Sequence, residues 1–511
     1  MCTLCAEFRP LEKDCAFEPD TSLVPDFASL SEGSDAPSGT STSYVMSAGD
    51  TFSGFLGLGD QDWVRIQLTA GEAYEINLDR LGSNGLDDPY LRLFDASGNQ
   101  VAFNDDRVLG QDLESTIIYT ATSTGTYYIG VDAWNQASDG NYIIEVQETA
   151  PPPPLRDYSL DEIADQLTDG YWASTGRGPR SFNVSPGDEL TVNLSGLTSA
   201  RRDVARDALE SWTNVTGITF REVSGSAQIT FDDEDSGAYA TSTTSGSTII
   251  SSRINVDRNW NGGSSDIDDY TFQTFIHEIG HALGLGHAGN YNGNATYGQD
   301  NDYLNDSWQA SVMSYFSQRE NSTIDASFAY IISPMMADII AIQNLYGTPT
   351  DQRTGNTTYG FNSNAGGYLD EITSLSGPIA FTILDNGGID TIDLSGFSND
   401  QSIDLRPGRA SDVAGLEGNM FIARNSIIEN VIAGSGDDFI QGNGAANTVR
   451  GNDGNDTMFL STGNDLGIGG EGNDRIFGGE GSDTLDGGIG PTSRNSGQCR
   501  CPRRHRACRS R

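Results

Sequence analysis

Residues 277–287 read His277-Glu278-Ile279-Gly280-His281-Ala282-Leu283-Gly284-Leu285-Gly286-His287, and they hold three of the chain's four histidines. On a helix, His277 and His281 leave the same face one turn apart. Two imidazole nitrogens so placed can reach one zinc ion at about 2.0–2.1 Å each. Glu278 stands beside them, within reach of a water on the metal without being a ligand itself. Gly284 can take up a left-handed backbone and stop the helix, which lets His287 swing back as a third ligand. Three protein ligands leave a position open for water, as in catalytic rather than structural zinc sites. Phe275, Ile276, Ile279, Ala282 and Leu283 suit a helix buried on one side. The expectation is a zinc hydrolase site.

Working outward, Ser311-Val312-Met313-Ser314-Tyr315 follows the last histidine at the distance where metzincin proteases place their Met-turn. Further matches are Asp161-Glu162-Ile163-Ala164, Gly170-Tyr171-Trp172, the run from Phe272 to Gly289, and Pro334-Met335-Met336-Ala337-Asp338-Ile339. On these residues the chain resembles the serralysin family of bacterial secreted zinc metalloproteases, metzincins of the M10 group. The resemblance implies that Met313 forms a hydrophobic floor beneath the metal. It implies that Tyr315 is a switchable extra zinc ligand that hydrogen-bonds the oxyanion during catalysis. With Glu278 as general base, the expected activity is peptide-bond hydrolysis in protein or peptide substrates.

The chain carries 72 acidic against 29 basic residues, a net charge of −43. Phosphates repel such a surface, which disfavours nucleic acid as a partner. No apolar run approaches the roughly 18 residues needed to cross a membrane. The first twenty residues lack the apolar stretch of a Sec signal peptide. All six cysteines lie near the two ends, at Cys2, Cys5, Cys15, Cys499, Cys501 and Cys508. The body between them has no disulfides of its own, and calcium is the expected stabiliser.

From residue 433 the chain repeats every nine residues. Units include Gly451-Asn452-Asp453-Gly454-Asn455-Asp456-Thr457-Met458 and Gly478-Gly479-Glu480-Gly481-Ser482-Asp483-Thr484-Leu485. The key acidic position recurs at Asp438, Asp456, Asp465, Asp474 and Asp483, with Asn447 in the remaining slot. This matches the glycine-rich nonapeptide (RTX repeat) that winds into a calcium-binding parallel β-roll. Neighbouring turns can together supply the six to eight oxygens that calcium takes. Asp385 to Asp393 reads as an isolated earlier turn of the same kind. In serralysin-like proteins such repeats accompany type I export, so an extracellular, calcium-loaded monomer is expected. After Gly490 the register stops, and residues 491–511 hold seven arginines, three cysteines and no acidic residue. That tail reads as a shifted reading frame or a truncated gene, and no export signal is recognisable in it.

Toward the other end, Val64, Ile66 and Leu68, then Tyr74, Ile76 and Leu78, then Tyr127, Ile129 and Val131, then Tyr142, Ile144 and Val146 alternate with polar residues. These runs predict an antiparallel β-sandwich. Asp60-Gln61-Asp62-Trp63, Asp87 to Leu93 and Gly125 to Val131 resemble bacterial pre-peptidase C-terminal domains. The acidic run Asn104-Asp105-Asp106 is a possible calcium holder or a solvated turn. Pro151–Pro154 form a stiff spacer.

The expected fold class is multidomain: an antiparallel β-sandwich, an α+β metzincin domain, and a parallel β-roll. The expected bounds are a leader without ordered structure over 1–37, the sandwich over 38–149 and a proline linker over 150–154. The protease follows over 155–350, the serralysin C-terminal region with its roll over 351–490, and the anomalous tail over 491–511. Ser199–Thr213 reads as an amphipathic helix. Gln228 to Phe231 reads as a strand suited to the sheet edge along which metzincins bind an extended peptide. The rival function is a non-enzymatic, calcium-dependent extracellular adhesion protein, for which an intact zinc set with its base has no use.

Overall fold

The computed structural model describes residues 28–107, 113–136, 138–151 and 153–489, and these form two compact units that meet in sequence at Pro153 and Pro154.

The first unit is built from ten strands: β1 (Ser29–Ser31), β2 (Val45–Met46), β3 (Thr51–Leu56), β4 (Asp62–Leu68), β5 (Ala73–Arg80), β6 (Pro89–Phe94), β7 (Gln100–Asn104), β8 (Ser115–Thr120), β9 (Gly125–Ala133) and β10 (Gly140–Thr149). They form two five-stranded sheets, ordered β1-β3-β10-β5-β8 and β2-β4-β9-β6-β7. The period-2 alternation of each strand turns one face inward. Val64, Ile66 and Leu68 of β4 thereby join Ile76, Leu78, Ile129, Val131, Ile144 and Val146 in a single core. Pairing is antiparallel except for β1 on β3 and β2 on β4.

Strand β1 lies inside the stretch expected as an unordered leader, and this corrects that expectation. Its three residues hydrogen-bond along β3 and close the edge of a sheet, although the sequence Ser-Leu-Ser carries almost no strand signature. Residues 1–27 of the expected leader, the six cysteines and the tail from 491 lie outside the described residues.

The second unit opens with α1 (Leu160–Asp165), a five-residue π-helical turn over Gln166–Gly170, and α2 (Tyr171–Ser174). Then follow β11 (Glu189–Gly196), α3 (Ser199–Thr216), β12 (Thr219–Glu222), β13 (Ile229–Asp232), β14 (Ala238–Ser245), β15 (Thr248–Val256), α4 (Tyr270–Ala282) and α5 (Met336–Tyr346). The sheet order is β12-β11-β13-β15-β14, parallel except at β14. Strand β13 is therefore interior, and the antiparallel edge beyond β15 is β14. This corrects the edge assigned to Gln228–Phe231. The reason is that β13 points Ile229 and Phe231 into the core, a pattern that central and edge strands share. Helix α3 is longer than its expected span and ends on Gly217 at φ 69°. Its Trp212 is fully buried and donates from Nε1 to Ile276 O at 2.9 Å, which locks α3 to α4.

Beyond residue 350 short parallel strands stack in two sheets. One holds Thr358–Gly360, Thr391–Asp393, Asn430–Ile432, Thr448–Asp453, Leu466–Glu471 and Thr484–Asp486. The other holds Ser402–Asp404, Phe439–Gln441, Thr457–Phe459 and Arg475–Phe477. Thr448 pairs with Leu466, and Thr457 with Arg475, so each strand meets the one two nonapeptides later. A nine-residue unit thus supplies one strand to alternate sheets. Thr391–Asp393 joins the first stack, with Gly388 at φ +143° much like Gly463, Gly472 and Gly481, so the outlying turn at 385–393 belongs to the series.

No separate core begins at 351. Tyr330–Ile331 pairs with Ile379–Ile383, and one apolar cluster runs from Ile163 to Ile476. No helix among the described residues is long and apolar enough to cross a membrane.

Candidate active site

Helix α4 starts where the Asp269 side chain accepts from the backbone N–H groups of Thr271 and Phe272. It ends at Ala282, two residues before Gly284, whose φ of +114° only glycine adopts without strain. A Cβ at this position would stand 2.1 Å from Arg180 O. The returning segment is fixed from three sides. Trp172 Nε1 donates to Gly284 O at 2.8 Å, Gly286 N to Leu167 O at 2.7 Å, and Tyr346 OH to Leu283 O at 2.7 Å. The π turn thereby carries Tyr171 against His287, ring centroids 4.9 Å apart.

His277, His281 and His287 converge, with one ring nitrogen from each lying within 4.8 Å of the others. Each Nδ1 faces a backbone carbonyl: Val312 O at 2.9 Å, Leu285 O at 2.8 Å and Tyr291 O at 2.8 Å. A carbonyl only accepts, so each Nδ1 carries the proton and each neutral ring turns a bare Nε2 lone pair inward. The Nε2 atoms of His281 and His287 are 3.0 Å apart. Two lone pairs so close require a proton or a cation between them. Burial opposes the proton, holding His277 down at about 4, His281 at about 3, and His287 well below its ordinary value. A nitrogen-ligated cation fits this donor set.

Glu278 is 5% exposed, and its Oε2 has no hydrogen-bond partner. Burial pushes its carboxyl up to about 8. Met313 is fully buried, and its Sδ would lie 2.7 Å from a Cβ on Gly280, so the thioether packs directly beneath α4. The Tyr315 ring stands 4.5 Å from that of His287 and 6.2 Å from that of His277. Its hydroxyl accepts from Gly293 N at 3.4 Å, and burial raises the phenol to about 12. The structure thus brings together all six residues singled out around the histidine motif.

Other participants carried no sequence reading. Asp338, fully buried, accepts from Ser311 Oγ at 2.6 Å and from Val312 N and Met335 N at 2.8 Å. It pins the turn whose Val312 carbonyl orients His277. Asp306 accepts from Ser314 Oγ and from Tyr291 OH. Asp338 lay within a motif quoted for the family resemblance. Asp306 sits in a loop rich in Asn and Asp, where nothing distinguishes it.

In the repeats, Asp438 N donates to Asp456 Oδ1, Asp456 N to Asp474 Oδ1, and Asp465 N to Asp483 Oδ1. The second oxygens of Asp456, Asp465 and Asp474 are buried without partners. Burial raises Asp456 to about 7 and Asp438 and Asp465 to about 6. Aligned, orphaned carboxylate oxygens are a donor set that fits calcium. Asn447, by contrast, satisfies itself: its Oδ1 accepts from Asn443 N and its Nδ2 donates to Glu429 O.

In the first unit Asp105 and Asp106 meet Asp88, and Asp35, Asp60 and Asp62 form a second acidic group. Asp62 is fully buried, accepts from Tyr142 OH at 2.8 Å, and is raised to about 7 by burial.

Residues 189–297 match the Matrixin family of M10 peptidases, residues 348–489 the Peptidase M10 serralysin C terminal family, and residues 60–133 the bacterial pre-peptidase C-terminal domain. The metallopeptidase AprA of Pseudomonas marginalis is 35% identical over 65% of this chain and 74% of its own length. Serralysin C of Dickeya chrysanthemi is 41% identical over 55% of this chain, which spans 64% of that protein. Among solved structures, myroilysin overlaps 32% of this chain and 93% of its own, with 25% identity and a TM-score of 0.22. Matrixin domain and relatives together define the class as zinc metalloendopeptidase. Within it, the chain belongs to the serralysin-like M10 metalloproteases.

Proposed function

We propose that this protein is a secreted endopeptidase that hydrolyses internal peptide bonds of proteins at a zinc ion held by His277, His281 and His287. The observation that carries the reading is the meeting of three neutral imidazoles, lone pairs inward, beside the buried carboxylate of Glu278. Bound there, zinc would supply Lewis acidity, polarising a carbonyl and lowering the pKa of water to about 7. Glu278 takes one proton from the attacking water and passes it to the departing amine nitrogen. A positive charge nearby favours the ionised form of Glu278 and offsets the effect of its burial. The Tyr315 phenol donates a hydrogen bond to the oxyanion on the tetrahedral carbon.

We read the two sheets of the first unit as a β-sandwich and the stacked parallel strands of the second unit as a β-roll. Asp438, Asp456, Asp465, Asp474 and Asp483 are the proposed calcium ligands. The proposed regions are sandwich, protease and repeats in that order, with the sandwich beginning near Ser29. The protein acts as a monomer outside the cell and is exported by a type I route. Extracellular calcium then lets the repeats fold, since such modules bind it with dissociation constants of about 10⁻⁴–10⁻³ M.

The test is Glu278→Gln. The variant retains zinc and loses about 10²–10⁴-fold in kcat on casein. Wild-type turnover in zinc-loaded E278Q contradicts the assignment.

A further inference from the structure

Deep beneath the Met-turn, Asp306 is fully buried, and no ion pair among the described residues involves it. Both of its oxygens are used. Oδ1 accepts from Ser314 Oγ at 2.7 Å and from Tyr291 OH at 3.2 Å, and Oδ2 accepts from the same phenol at 3.1 Å. The two hydroxyls, each donating a hydrogen bond to the carboxylate, accept in turn from the backbone. Tyr291 OH takes Tyr315 N at 3.3 Å, and Ser314 Oγ takes Phe316 N at 3.1 Å. The backbone on both sides of the Tyr315 side chain is thus referred to one carboxylate.

The same carboxylate reaches the histidines. Tyr291 O accepts from His287 Nδ1 at 2.8 Å, and the Tyr291 ring lies 4.8 Å from that of Tyr315. Tyr291 therefore joins Asp306 at its hydroxyl to His287 at its carbonyl.

We propose that Asp306 is a positioning residue that sets where the Tyr315 phenol stands relative to the three histidines. This rests on the reading of Tyr315 as an extra ligand that switches between the metal and the oxyanion. An ionised aspartate offers only acceptors, so both hydroxyls donate toward it and keep their lone pairs for the backbone, and those two hydrogen bonds favour the ionised form against the burial that raises it. An asparagine of the same shape presents an N–H₂ to one of those hydroxyls and breaks the order. Residues that orient a metal site in this way typically contribute about 10–100-fold.

The test uses the full-length protein loaded with one equivalent of copper(II), in which tyrosinate ligation gives a visible charge-transfer band. Wild type, Asp306→Asn, Tyr291→Phe and Tyr315→Phe are compared, and the zinc forms are assayed for kcat and KM. Wild type shows the band and Y315F lacks it. D306N binds copper stoichiometrically but shows a weakened or shifted band. In zinc-loaded D306N, kcat falls about 10–100-fold while KM stays within about twofold. Y291F, which keeps the ring and removes the hydroxyl, behaves like D306N and serves if D306N does not fold. An unaltered band and kcat in these variants overturns the role of Asp306 alone. A wild-type spectrum identical to that of Y315F removes the assignment of Tyr315 and this inference with it. A merely structural role would lower the melting temperature and leave the band unchanged.

Discussion

Gly284 stands at the point where α4 must stop for the third histidine to return. At φ +114°, and with Arg180 O only 2.1 Å from where a Cβ would be, no other residue fits without moving backbone. Gly284→Ala should therefore cost about 1–3 kcal/mol from the strained backbone alone, and displace His287. Thermal melting and zinc retention under chelator check this; a variant with wild-type values for both contradicts it. At this scale the sequence was informative where residue type dictates chemistry. The histidines, Glu278, Gly284 and Met313 announce themselves by spacing. Asp306 and Tyr291 do not, because their roles depend on how the loop between His287 and Phe316 folds back on itself, in a stretch without a period or repeat.

Among the elements, the Met-turn depends on α5. Asp338, in the first turn of that helix, receives two backbone N–H groups and a hydroxyl from outside it. Asp338→Ala leaves these donors bare in a dry interior, at roughly 1–3 kcal/mol for each. Chemical denaturation of the zinc-loaded protein should register the loss, and an unchanged midpoint would refute the account of the turn. Helices α3 and α4 were legible because a one-sided apolar stripe at helical period admits few other readings. The π turn at 166–170 was not, since an extra residue in a helix leaves no compositional mark. Strand β14 was missed for a different reason. Its run Ala238–Ser245 is mostly small and polar, and such a strand acquires its identity from pairing with β15.

For the molecule as a whole, the proposed calcium ligation by the repeats would make stability depend on calcium and pH together. Burial raises Asp456 from 3.8 to about 7, and raises Asp438 and Asp465 to about 6. The folded repeats hold these protons more tightly than the unfolded chain. Their stabilising contribution is therefore complete below about pH 4 and is lost as pH rises through about 6–7. Calcium-free protein should melt its repeat strands at a higher temperature at pH 5 than at pH 8, and saturating calcium should remove the difference. Equal calcium-free melting at the two pH values would count against it. The nine-residue register made this region readable, since a fixed repeat dictates the pairing of every second unit. The boundary read at 350 lies beside residue 348, where the serralysin C-terminal match begins, although the apolar residues on its two sides pack into one core.

The central claim is that three neutral imidazoles gather one divalent cation beside Glu278. Elemental analysis of the full-length protein, dialysed against metal-free buffer, tests it most directly. The account predicts one zinc per chain in wild type and little in His281→Ala. Wild-type protein without stoichiometric zinc, or H281A that keeps it in full, would contradict it.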